Sequence, residues 1–138
     1  MIAYLDSSVV LRVVLKEKGR LQQWDAIEPA VSSALLRVEC LRTLDRLRHR
    51  RLLEDEEIAW QRAAVLHAVE RMQIVELTRS VLDRAEQPFP TPLGTLDAIH
   101  LTTALLWRES NGTDLTLATH DGALALAARA VGFEVLGA

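Results

Sequence analysis

Four acidic residues, Asp6, Glu39, Asp97 and Asp121, stand where a carboxylate is either costly or useful. Carboxylates brought together from separate segments are the oxygen donors that a hard divalent cation takes. Such a cation activates water and stabilises charge that develops on a phosphate as its ester bond breaks. Each acid also has a plainer reading. Asp6 follows an apolar run and precedes Ser7 and Ser8, where a helix cap is expected. Asp121 follows "LTLA" after Thr119 and His120 and suits an N-cap equally well. Asp97 lies in the first turn of "GTLDAIHLTTALLW", where the helix dipole alone favours an acid. Glu39 is the hardest to dismiss. It lies mid-helix in "SALLRVECLRTL", bordering an apolar face of Leu36, Cys40, Leu44 and Leu47. Thr43, Arg46 and Arg50 continue its line at helical spacing. An exposed glutamate paired with Arg42 or Arg46 is the modest alternative, worth a few tenths of a kcal/mol.

These side chains need elements that return them to one edge. Residues 2–5 read as a strand buried on both faces, and residues 8–18 as a helix ended by Gly19. A second short helix is expected over 20–27, closed by Pro29, then a strand over 30–32. Ser33 is expected to cap a helix running to about Arg50. Residues 54–71 form another helix, with an acidic first turn that suits the dipole. A strand over 73–77 and a short helix over 79–86 follow. "PFPTPLG" breaks regular structure, and its prolines are expected to shape a groove wall or a simple connection. Thr95 should cap a helix to about Glu109. "SNGTD" forms a turn, and residues 115–118 a strand. Asp121 begins a helix that Gly132 ends, and 133–136 is a last strand. Strands alternating with helices predict one α/β domain over residues 1–138, a parallel sheet with helices on both faces (α/β/α). In such sheets, ligands bind at the carboxyl ends of the strands, where Asp6 and Asp121 fall.

Composition narrows the classes. The chain has 138 residues, 49% of them apolar and 25% charged, an ordinary globular balance. One cysteine, Cys40, excludes an internal disulfide, and no Cys/His cluster has zinc-site spacing. No apolar run is long enough to span a bilayer, and no basic, hydrophobic leader precedes the first strand, so a cytoplasmic location is expected. Net charge is −3, yet it is segregated. Between Arg37 and Arg51, six arginines face two acids, a formal +4 that leaves −7 for the rest. Arg46 and Arg50, in line with Glu39, are the expected contacts to a phosphate backbone. Leu21, Trp24 and Trp60 belong either to the core or to a surface for a second copy or another partner. No nucleotide-binding glycine motif is present.

Four blocks, "YLDSSVVLRVVL", "VSSALLRVECLRTL", "TLDAIHLTTALL" and "LTLATHDGALALAARAVGFEVL", resemble in order the motifs of PIN-domain proteins. More narrowly they are similar to the VapC toxins of bacterial toxin–antitoxin pairs, from Ile2 to about Leu136. That resemblance implies a ribonuclease dependent on Mg2+ or Mn2+, with its acidic quartet at Asp6, Glu39, Asp97 and Asp121. It assigns the hydroxyls that orient those carboxylates to Ser7 or Ser8 and to Thr119. It implies a homodimer, an RNA substrate such as transfer or ribosomal RNA, and a VapB-like antitoxin that fills the groove. Whether Asp121 binds metal directly stays open, and His120 reads as a packing or surface residue. Two rivals remain: the same fold used as an RNA- or peptide-binding module without cleavage, and a phosphatase with an aspartate nucleophile. The second usually needs an acid two residues after the first, where this chain has Ser8.

Overall fold

A computed structural model describes residues 1–138. Five parallel strands form one sheet: β1 (Ala3–Leu5), β2 (Ala30–Ser33), β3 (Gln73–Val75), β4 (Thr116–Ala118) and β5 (Val135–Leu136). Six helices connect them: α1 (Ser7–Val14), α2 (Leu35–His49), α3 (Asp55–Glu70), α4 (Arg79–Ala85), α5 (Thr95–Asn111) and α6 (Gly122–Ala130). Strand order is β3-β2-β1-β4-β5. From β1 the chain winds outward through β2 and β3, then crosses back to β4 and β5. The direction therefore reverses between β1 and β4, which is where a crevice opens at the strands' carboxyl ends.

The strand pleat divides the core in two. Ala3, Leu5 and Ala118 face a cluster completed by Val9, Val10, Leu36, Cys40, Leu44, Ile58 and Val65, from α1, α2 and α3. Tyr4, Val31 and Leu117 face the other way, onto Leu101, Ala104, Leu105, Leu124, Ala127 and Ala128 of α5 and α6. Neighbouring residues on one strand thus serve opposite layers, as a period of two requires. Register pairs Tyr4 with Leu117 and Leu5 with Ala118, so β1 and β4 end side by side. Leu36 and Leu101 are each fully buried, and truncating either to alanine would cost about 2–5 kcal/mol.

The expected α/β/α architecture is present, with local differences. The segment expected as a helix over 20–27 holds only a 3-10 turn, Trp24–Ala26. Leu21, Trp24 and Ile27 pack on the core from this irregular stretch without forming an α-helix. Ser33 ends β2 rather than standing outside the sheet, though its Oγ still accepts the Leu35 N–H at 3.1 Å. Thr95 is the first residue of α5, and Gly94 occupies the cap position without a side-chain bond. Leu21 is buried and Trp24 packs against the α1–α3 core, whereas Trp60 is 74% exposed. No helix is long and apolar enough to cross a membrane.

Candidate active site

Asp6 directly follows β1 and caps α1, its Oδ1 accepting the Val9 N–H at 3.3 Å. It is only 3% exposed. Two hydroxyls hold it from either side. Ser8 Oγ donates to Oδ1 at 2.6 Å, and Thr119 Oγ1 donates to Oδ2 at 2.7 Å. Each hydroxyl also accepts a backbone N–H from the loop after β4: His120 to Ser8 at 2.9 Å and Asp121 to Thr119 at 2.9 Å. The loops that leave β1 and β4 are therefore laced together through the Asp6 carboxylate. Of the two serines expected to orient Asp6, the structure gives that role to Ser8. Despite these bonds, the Asp6 carboxyl lies above its usual range, because burial outweighs them.

Asp121 caps α6, accepting the Leu124 N–H at 2.9 Å. Asp97 behaves differently. It stands in the first turn of α5, whose start carries no side-chain cap. An acid placed there only for the helix dipole would have a lowered pKa. Asp97 is instead pushed up to about 6, first by partial burial and then by the negative charges of Asp121, Asp6 and Glu39; the nearby His100 acts in the opposite sense. Charges from β1, α2 and α6 thus converge on the start of α5.

Glu39 is not paired with Arg42 or Arg46. Arg42 bonds Asp45 at 3.1 Å, and Arg46 bonds Thr43 at 3.0 Å. The Glu39 Oε1 meets His100 Nε2, while His100 Nδ1 meets the Tyr4 hydroxyl at 2.6 Å. His100 went unrecognised at the level of sequence because α5 is apolar on nearly every side. The signal was its spacing: it follows Asp97 by three positions, one turn along the same face. Arg46 and Arg50 are both exposed, with Arg50 the C-cap of α2.

Two further features adjoin the start of α5 and the loop after β4. A cavity of about 630 Å³ lies against the first turn of α5, lined by residues that include Arg79, Pro88, Phe89, Thr91, Thr95 and Ala98. Pro88, Phe89, Thr91 and Leu93 of the "PFPTPLG" loop line this cavity. On the other side, His120 Nδ1 bonds the Gly137 carbonyl at 2.8 Å, pinning the C-terminal segment as a packing residue would. Gly137 has φ +91°, and a Cβ there would come within 2.7 Å of the Thr119 carbonyl, so only glycine fits. Cys40 is buried and its thiol is pushed up to about 12, which leaves it inert.

The fit of this set to a divalent cation rests on its chemistry. The donors are carboxylate oxygens, Asp6 buried and the other three half-buried, and the repulsion among them is what a hard cation relieves. No three His, Cys, Asp or Glu side chains are drawn close enough to clasp an ion as they stand.

The model of the PIN domain family matches residues 3–130. Ribonuclease VapC46 of Mycobacterium tuberculosis is 35% identical over 141 aligned positions, spanning 96% of this chain and 95% of its own length. Among solved structures, a toxin–antitoxin complex from Klebsiella pneumoniae covers 93% of both chains with a TM-score of 0.66 at 18% identity. The crystal structure of PAE2754 from Pyrobaculum aerophilum covers 97% of this chain and 89% of its own, with a TM-score of 0.57 at 19% identity. These last two are likenesses of fold.

Proposed function

This chain belongs to the PIN domain family, and on that premise we propose that residues 1–138 form a VapC-like endoribonuclease toxin. The observation that carries the reading is Asp97, whose carboxyl is raised first by partial burial and then by the charges of Asp121, Asp6 and Glu39 from other elements. A helix cap needs no such company. A site that gathers a divalent ion does.

Asp6, Glu39, Asp97 and Asp121 would hold one or two Mg2+ or Mn2+ ions. The ion would supply an activated water and neutralise charge developing on the scissile phosphate. The chain's own residues do the rest. Ser8 and Thr119 fix both oxygens of Asp6, so the carboxylate cannot rotate away. Arg46 and Arg50 project from the helix that carries Glu39 and hold the approaching RNA backbone without reading its bases. The cavity beside α5 gives the strand a second wall. A VapB-like antitoxin is the proposed inhibitor, in keeping with the names of the similar proteins. The proposal extends to a homodimer that cuts transfer or ribosomal RNA in the cytoplasm.

The test maps cut sites across total RNA with the full chain, comparing wild type with Asp6→Asn in the presence of Mn2+. Defined cuts that vanish in the variant support the reading. Equal cutting by both, with contaminating nuclease excluded, contradicts it. RNA binding without any cut in the wild type would make this a binding module.

A further inference from the structure

Glu39 differs from the other three acids in how it is held. Asp6, Asp97 and Asp121 are short side chains at or beside helix starts, and backbone N–H groups hold Asp6 and Asp121. Glu39 projects from the middle of α2 on three rotatable bonds, and no partner on its own helix restrains it. Its restraint comes across the sheet edge from His100 on α5.

The direction of each hydrogen bond follows from the groups. An ionised carboxylate only accepts, so His100 Nε2 must carry the hydrogen in the bond to Glu39. In the neutral imidazole that arrangement leaves Nδ1 as a lone pair, into which the Tyr4 hydroxyl donates at 2.6 Å. Tyr4 remains a donor, since burial holds its phenol well above the usual range. Tyr4 and His100 are 0% and 1% exposed, so neither ring can turn without opening the core. Their partners lie 96 and 61 residues away in the chain, and the path joins β1, α5 and α2. Like the bonds of Asp6 and Ser8 to the loop after β4, it ties the two helical layers at this edge. Both layers would have to be in place before Glu39 is aimed.

We infer that Tyr4 and His100 are positioning residues: they form a buried arm that takes Glu39 Oε1 and thereby presents Oε2 to a divalent cation. The inference rests on the reading of Glu39 as a cation-binding carboxylate. Fixing one oxygen removes freedom that a metal would otherwise have to freeze, and it sets which oxygen is left to bind.

The experiment uses the full chain with His100→Ala, His100→Gln and Tyr4→Phe, each alone and combined with Glu39→Gln. Mn2+ affinity is measured directly by electron paramagnetic resonance, alongside melting in metal-free buffer. His100→Ala is expected to weaken Mn2+ binding by about ten- to a hundredfold. Tyr4→Phe should weaken it less, and His100→Gln, which keeps an amide donor, should recover part of the loss. In the Glu39→Gln background, His100→Ala should add nothing further. Unchanged Mn2+ affinity, or the same loss in both backgrounds, means that His100 only packs, and overturns the inference. A second arm needs no metal. Nitrogen-15 spectra of the metal-free protein should show His100 with its hydrogen on Nε2, slow to exchange, and shifted in Glu39→Gln. A hydrogen on Nδ1, or an Nε2 hydrogen indifferent to Glu39, overturns it. Should the wild type bind no Mn2+, the metal reading of the site fails, and the spectra alone decide whether the arm holds Glu39.

Discussion

Helix α3 opens with Asp55, Glu56 and Glu57, and helix α5 opens with Asp97. The three acids of α3 are exposed, and the Glu57 carboxylate accepts the Glu54 N–H at 3.5 Å in a loose capping box. They sit where the dipole favours them and where water covers them. Asp97 caps nothing and is half-buried; that burial first, and then the charges of acids on other elements, raise it to about 6. Residue type and helix position are alike in the two cases. Burial and neighbours set the two apart.

The contrast is most exposed to failure in catalysis. Asp6→Asn or Asp97→Asn should lower metal-dependent RNA cleavage about a thousandfold, the scale on which one charge-stabilising group acts. Glu56→Gln should leave the rate within about twofold, a surface change of little consequence. Comparable losses in an assay of cut RNA would dissolve the distinction.

Metal linkage comes next in size. Mn2+ at a hundred times its dissociation constant should stabilise the wild type by about 2.7 kcal/mol, read as a rise in melting temperature. Glu56→Gln should keep that gain and Asp6→Asn should forfeit most of it.

Smaller, but opposite in sign at the two helices, are effects on stability without metal. Asp97 binds its proton more tightly in the folded state than in the unfolded chain. Its contribution is therefore favourable at low pH and fades as pH rises from about 4 through 6. Asp97→Asn should melt above the wild type at pH 7 by about 1 kcal/mol, a figure reduced for its partial exposure. The difference should shrink toward zero by pH 4. Glu57→Ala should instead lose about 0.5 kcal/mol, with its cap. Denaturant unfolding across that pH range reads both. The smallest effect concerns the arginine stripe. Arg46→Ala should weaken RNA binding at low salt and reduce the slope of log affinity against log salt by about 1.

Much of this site could be read from the chain because its acids occupy positions that a fold rule makes meaningful. Asp6 and Asp121 end strands, and a parallel sheet brings strand ends together. Ser33 and Thr95 were misplaced by one step, since a cap and a first or last residue differ only in backbone angles that the sequence does not display. The expected helix over 20–27 failed for a different reason: its apolar residues Leu21, Trp24 and Ile27 are held by the core without needing a helix. His100 was missed because a polar residue inside an apolar helix shows no partner until Tyr4 and Glu39, from two distant segments, are brought to it. The partner of Glu39 is His100, from a distant segment, rather than an arginine on its own helix.

Carbon-13 NMR of the Asp97 carboxyl, followed through a pH titration, reaches the claim beneath all of this. In metal-free protein it should titrate near 6 and move down toward the ordinary aspartate range in Asp6→Asn and on addition of Mg2+. A midpoint near 4, the same in both proteins and with or without Mg2+, would mean that the four acids share no pocket at all.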